Sequence, residues 1–278
     1  MATFELYDFV RLSTSTTRLL HRRIRYSTQV GKRYTTLILD AFDTLVHIDW
    51  SRIPTENIDG QPVLTTARAV YPVYVERLGN IDFATFYRAQ RASYEEAERR
   101  RAAGFREVTS QDRFRIMAEM LGQAPQGLET EFFDRLAAAH MDRLFLAMEI
   151  RPENIETLAW ARQRFRCGMI SNFDYAPAIY RLLDRYRIRE SFECVAVSAE
   201  VGWRKPHRRI FEYAFDAMRI HPSEALFVGD HLDLDLRGAS EVGMDCAWID
   251  SGKQQWSASY PEPAFRITAL PELVSLLK

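Results

Sequence analysis

The stretch LILDAFDTLV, Leu37 to Val46, sets the fold of this chain. The run YTTLIL from Tyr34 to Leu39, β-branched and then wholly apolar, has the character of a strand covered on both faces. It ends on two carboxylates, Asp40 and Asp43, with Phe42 between them and Thr44 after them. Similar apolar runs recur at Cys167 to Ser171, Cys194 to Ser198, Ala225 to Val228 and Cys246 to Ile249. Between them lie APAIYRLLDRYRI and HRRIFEYAFDAMRI, whose apolar residues return every three or four positions, as on one face of a helix. Strands alternating with helices predict an α/β fold built on a parallel sheet with helices on both faces.

The first strand is separated from the second by more than a hundred residues without a good strand. VLTTARAVYPVYVERLG, DFATFYRAQRASYEEAERRRAAG, DRFRIMAEML and ETEFFDRLAAAHMDRLFLAM read there as amphipathic helices, so a helical subdomain is inserted after the first strand. The expected organisation is an extension over residues 1–33, an α/β core over 34–48 and 150–278, and a helical cap over 49–149. The run EEAERRRAAGFRE within the cap reads as a solvated helix face of Glu/Arg pairs. DWSRIPTENIDGQPV, at the cap entrance, reads as irregular, with Trp50 and Arg52 as ordinary loop residues.

With 278 residues, 47% hydrophobic and 27% charged, the chain can bury one large core or two smaller ones. A net charge of −1 gives no general pull toward nucleic acid or anionic membrane. Cys167, Cys194 and Cys246 lack metal-ligand spacing and read as reduced buried thiols, which predicts a cytoplasmic home. No apolar run is long enough to span a membrane, and no signal-peptide core stands at the N-terminus. The Arg-rich second half of residues 1–33 is expected to form a helix docked on the body, with a leader or a surface and partner contact as the alternatives. Lysine is scarce, occurring only at 32, 205, 253 and 278, so any step that needs one has few candidates.

Ligands of open parallel sheets collect at the carboxyl ends of the strands. The residues placed there are Asp40 with Thr44, Ser171 with Asn172, Lys205 before Pro206, and Asp230 with Asp235. A nucleophilic carboxylate, hydroxyl and amide donors, one cation and further acids can form an aspartyl ester, bind an anion and hold a hard divalent cation. Thr44 and Ser171 read equally well as turn or N-cap residues when each is taken alone.

LILDAFDTLV, GMISNFD, GWRKP and LFVGDHLDLDLRGASEVGM, in this order, resemble the four motifs of the haloacid dehalogenase superfamily. ISNFD and GWRKPHRRIFEYA are most similar to its hydrolase-domain proteins of undefined substrate. The resemblance covers residue 34 to the C-terminus and implies a Rossmann-like core with an inserted cap. It also implies Asp40 as nucleophile, Lys205 as the balancing cation, and Mg²⁺ held by Asp40, Asp230, Asp235 and the backbone carbonyl of Phe42. Asp233 then reads as solvent-facing or helix-starting, and His231 as a local hydrogen-bonding residue.

The family's first motif is DxDxT, and alignment on Thr44 puts Phe42 where the second Asp, the general acid and base, would stand. Strand alternation points Asp43 away from Asp40, toward a structural role. Three branches of the superfamily lack that acid. Dehalogenases carry an aromatic residue there but generally lose the first acid of the fourth motif, which GDHLDLD keeps. Phosphonoacetaldehyde hydrolases need a cap lysine, and none occurs between 32 and 205. P-type ATPases manage because their leaving group departs as a stabilised anion. The expected activity is therefore Mg²⁺-dependent hydrolysis of a phosphorylated small molecule with a good leaving group, through an aspartyl intermediate. Hydrolysis at carbon of the dehalogenase type and a catalytically impaired binding protein are the alternatives.

Overall fold

The computed structural model describes residues 34–278, and the N-terminal extension with its expected docked helix lies outside the described residues. Six parallel strands form the main sheet: β1 (Thr36–Leu39), β2 (Arg166–Ser171), β3 (Cys194–Val197), β4 (Ala225–Gly229), β5 (Asp245–Ile249) and β6 (Phe265–Ile267). Their order is β6-β5-β4-β1-β2-β3, so β1 is central, with Leu39 in register with Val228 on one side and Met169 on the other. Side chains alternate as a two-sided sheet requires: Leu37 and Leu39 enter one apolar cluster, and Ile38 enters the other. Five of the six strands are those the apolar runs predict. The sixth is a three-residue edge strand after a Pro-rich loop, too short for its pattern to register.

Helices cover both faces. Ala176–Arg185 buries Ile179, Leu182 and Leu183 in the first cluster, while Arg208–Met218 buries Ile210, Phe211, Ala214, Phe215 and Met218 in the second. The insertion contains α1 (Ala67–Leu78), α2 (Phe83–Ala102), α3 (Ser110–Met120) and α4 (Thr130–Phe145). Asp82 caps α2 by accepting from the Thr85 amide, and Thr109 and Asp112 form a reciprocal capping box on α3. These helices share an apolar cluster centred on Tyr74, Phe86, Phe114 and Phe133, whereas Met141, Leu144 and Phe145 at the end of α4 join the core beneath the sheet.

The entrance segment is not irregular. Thr55–Ile58 and Gln61–Leu64 pair as an antiparallel hairpin around Asp59 (φ 52°) and Gly60 (φ 79°). Two consecutive left-handed residues are what an Asp-Gly hairpin turn supplies. Arg52 pairs with Asp49 and Glu149 at 2.9 Å each. A second ribbon, Val46–Ile48 with Met148–Ile150, brings the two chain crossings of the insertion side by side. Among the described residues no helix is long and apolar enough to cross a membrane.

Candidate active site

Asp40 follows the last residue of β1, and its amide donates to the Val228 carbonyl at 2.8 Å, carrying the sheet ladder one residue further. The chain then turns. Asp43 takes φ 59°, its amide donating to the Val46 carbonyl at 2.8 Å, and its carboxylate meets Lys253 Nζ at 2.7 Å on the surface. Asp43 thus turns its carboxylate out to Lys253 by virtue of a turn rather than by alternation along an extended strand, and its charge still adds to the repulsion on Asp230.

Lys205 is 1% exposed, with Nζ 2.5 Å from Asp40 Oδ1 and 2.7 Å from Asp235 Oδ1. The lone lysine singled out by its scarcity is therefore an interior cation between two acids. Asp235 is 1% exposed and is carried on a π-helical turn, Leu232–Arg237, which follows β4. Its Oδ2 accepts from the His231 amide at 2.9 Å. Close approach requires Gly229, because a Cβ there would stand 2.4 Å from Asp235 Oδ2. His231 Nδ1 accepts from the Asp233 and Leu234 amides at 3.2 Å, so it caps this turn. Asp233 pairs with Arg237 at 2.7 Å on the outside.

Asp40, Asp230 and Asp235 each offer one oxygen, all within 4.8 Å of one another. Burial pushes the Asp40 carboxyl upward against the pull of Lys205, and Asp235 adds to the rise. Burial likewise raises Asp230, with Asp235 and Asp40 repelling its charge. Lys205 is drawn down by burial, but the two carboxylates more than offset this and hold it above the usual lysine range. The one ammonium touches Asp40 and Asp235 but not Asp230, and with all three acids ionised the cluster carries a net charge of −2. Three carboxylate oxygens, two of them from buried residues, with that imbalance suit a hard divalent cation.

Thr44 Oγ1 and Ser171 Oγ are buried and have no hydrogen-bond partner among the described residues. Buried hydroxyls without partners are uncommon, and a bound anion would satisfy both. Asn172 is differently employed. Its Nδ2 donates to the Lys205 carbonyl at 3.0 Å and its Oδ1 accepts from the Lys205 amide at 2.7 Å, so both ends grip the backbone that aims the lysine. Phe42, in the acid/base place, packs its ring 4.8 Å from that of Phe173.

Behind Asn172 and Phe173 lies an ionic network that the sequence reading missed. Arg101 is 5% exposed rather than solvated; it meets Glu107 at 2.9 Å and Asp174 at 3.1 Å, and also pairs with Glu98. Glu107 in turn takes Arg204 at 2.7 Å and the Ser198 hydroxyl. The surface reading of EEAERRRAAGFRE holds for Arg99 and Arg100, both paired with Glu96. It fails at Arg101, where burial against the core is a tertiary effect that leaves no mark on a charge run. Arg113 and His140 are buried alongside.

A family model described as haloacid dehalogenase-like hydrolase matches residues 34–243. The chain belongs to that family of hydrolases. Glyceraldehyde 3-phosphate phosphatase of Pyrococcus furiosus is 32% identical over 143 residues, 51% of this chain and 59% of its own length. The chain thus spans well under two thirds of that relative. Among solved structures, a 2-haloacid dehalogenase from Pseudomonas syringae superposes with TM-score 0.62 at 20% identity, covering 88% of this chain and 98% of that one. The magnesium-bound hydrolase YfnB of Bacillus subtilis gives TM-score 0.54 at 19% identity, covering 89% and 100%. At these identities the structural likeness concerns the fold.

Proposed function

We propose that the protein is a Mg²⁺-dependent phosphatase of small phosphorylated molecules, working through a phosphoryl-aspartate at Asp40. The observation that carries this reading is the meeting of three carboxylates, one buried ammonium and two unpartnered buried hydroxyls at one end of the sheet. Family membership and the phosphatase relative support it. We take residues 34–48 and 150–278 as the catalytic body, 49–149 as the cap, and a reducing compartment as the setting, in keeping with three buried free thiols.

Asp40 attacks phosphorus as a carboxylate; the phosphorus–oxygen bond to the leaving group breaks, and the phosphoryl group passes to Asp40. Lys205 offsets the charge on Asp40 and the incoming phosphate. The Thr44 and Ser171 hydroxyls donate to phosphoryl oxygens, and Asn172 holds the Lys205 backbone in place. Asp40, Asp230, Asp235 and the Phe42 carbonyl would hold Mg²⁺, which supplies positive charge to the transferring phosphoryl group. Attack by water on the phosphoryl-aspartate then releases phosphate and restores Asp40.

Phe42 sets the range of leaving groups. General acid catalysis contributes about 10²–10⁴-fold where a poor leaving group must be protonated, and little where a stabilised anion departs. Phenolic, enol, acyl and anhydride phosphates are therefore expected to turn over faster than alkyl phosphates. The test is a panel of these esters with and without Mg²⁺, alongside Asp40→Asn, which keeps the shape but removes the nucleophile. Mg²⁺-dependent turnover lost in the variant is the expected result. Halide release from a 2-haloacid in EDTA, with no phosphate released from the panel, would overturn it.

A further inference from the structure

The three acids of the cluster are not held alike. Asp40 and Asp235 each meet Lys205, and Asp235 also accepts from the His231 amide. The Asp230 carboxylate has no hydrogen bond or ion pair among the described residues. Where that carboxylate stands is therefore set by its own backbone and by whatever grips it.

Asp230 lies one residue past the end of β4, where Gly229 is in register with Trp248 of β5 and the ladder stops. From there, three backbone groups in succession are taken up by side chains instead. The Asp230 carbonyl accepts from the Trp248 indole Nε1–H at 2.9 Å, the His231 amide donates to Asp235 Oδ2 at 2.9 Å, and the Leu232 amide donates to Gln254 Oε1 at 2.7 Å. Trp248 is 1% exposed and belongs to the second apolar cluster, so close packing leaves its ring little freedom. Gln254 comes from the loop after β5, next to Lys253, whose Nζ meets Asp43 at 2.7 Å. One short loop thus fastens both the turn after β1 and the turn after β4.

We propose that Trp248 and Gln254 are positioning residues for the divalent cation: they fix the backbone from Asp230 to Leu232, and through it the carboxylate that has no hold of its own. This rests on the reading of the acid cluster as a Mg²⁺ site and extends it to two side chains outside all four sequence motifs. The grip matters most for Mg²⁺. That ion demands near-octahedral oxygens at about 2.0–2.1 Å, whereas Ca²⁺ takes its oxygens at about 2.3–2.6 Å in flexible arrangements. A looser Asp230 therefore weakens Mg²⁺ binding more than Ca²⁺ binding, while a general loss of structure weakens both alike.

The test is calorimetric titration of the full chain with MgCl₂ and with CaCl₂, beside melting in EDTA, for wild type, Trp248→Phe, Gln254→Met and Tyr34→Phe. Trp248→Phe keeps an aromatic ring and removes the indole donor, and Gln254→Met keeps the length and removes the acceptor. Tyr34→Phe is the control, since it removes a 2.8 Å bond to Asp245 at the opposite end of β5. Mg²⁺ affinity should fall about tenfold in each of the first two variants, the lower end of what loss of a partner behind a metal ligand costs. Ca²⁺ affinity should fall by less than about threefold in both. Tyr34→Phe should bind both ions as wild type does while losing about 1–6 °C of Tm. If Trp248→Phe melts too low to titrate, Gln254→Met, altered only in a loop, carries the same prediction by itself. An unchanged ratio of Mg²⁺ to Ca²⁺ affinity in either folded variant, or the same change in Tyr34→Phe, overturns the inference and leaves the metal site standing. Wild type that binds neither ion removes the metal site and this inference together.

Discussion

Lys205→Met is the sharpest test of the site's electrostatics. The substitution keeps most of the side-chain volume, so little of its effect comes from a cavity. It removes the ammonium that lies 2.5 Å from Asp40 and 2.7 Å from Asp235 and leaves three acids facing one another. Breaking a buried ion pair from one side costs about 3–5 kcal/mol. For a chain of this size each kcal/mol moves Tm by about 2–4 °C, so a drop of about 6–20 °C is expected in EDTA. The drop has a definite pH dependence. Asp230 already stands at about 8, and Asp40, raised from 3.8 to about 7 with Lys205 present, rises further without it. The native variant then holds more protons than the unfolded chain from about pH 4 upward, so its stability falls as pH rises. Melting curves in EDTA at pH 5.5 and 8 should show the deficit growing with pH, and added Mg²⁺ should recover more Tm in the variant than in wild type. A variant that melts with wild type at pH 8 would refute the view that Lys205 neutralises a buried acid cluster.

Other substitutions separate the remaining roles. Asp235→Asn should weaken Mg²⁺ binding about tenfold or more by calorimetry, and unchanged affinity would remove the acid triad from metal binding. Phe42→Asp places a carboxyl where the acid/base group is missing, so alkyl phosphate hydrolysis should rise more than nitrophenyl phosphate hydrolysis. Losing the contact with Phe173 should cost about 1–3 kcal/mol in the same variant, measured by melting. A folded variant with no selective gain would show that position 42 does not reach the leaving oxygen. His140 is buried beside Thr66, and burial, aided by Arg113, lowers its pKa from 6.5 to about 3. The unfolded chain therefore binds the extra proton between these values, and stability is lost as pH falls below 6.5, by about 2 kcal/mol at pH 5. Urea titrations should show His140→Gln losing about that much less than wild type between pH 6.5 and pH 5, and parallel losses would refute the assignment.

The sheet was legible because strands buried on both faces have no polar positions to interrupt them, and the cap helices because one apolar stripe recurs along each. Asp40 was legible because it stands directly after a buried strand, Lys205 because lysine is scarce, and Asp235 through the resemblance of GDHLDLD to the fourth motif. What stayed hidden depended on neighbours distant in sequence. Arg101 read as a surface charge because a helix pattern records which residues face together, not which face meets another part of the chain. Asn172 read as a donor to substrate, since nothing local reveals that the Lys205 backbone would occupy both ends of its amide. The Asp59–Gly60 turn was visible in the sequence, but its flanking strands are half exposed and too polar to alternate clearly.

The ribbon that joins the insertion to the sheet bears on how such a protein can change. Val46 pairs with Ile150 and Ile48 with Met148, so the chain departs and returns along adjacent tracks. Neighbouring strands stand about 4.8 Å apart, a gap that many helical units can bridge at their ends. A different insertion could be spliced at this junction without disturbing the register of β1 against β2 and β4. The helical insertion and the sheet that bears Asp40 and Asp230 are thereby separable stretches of chain, so the first can be exchanged with the second left intact.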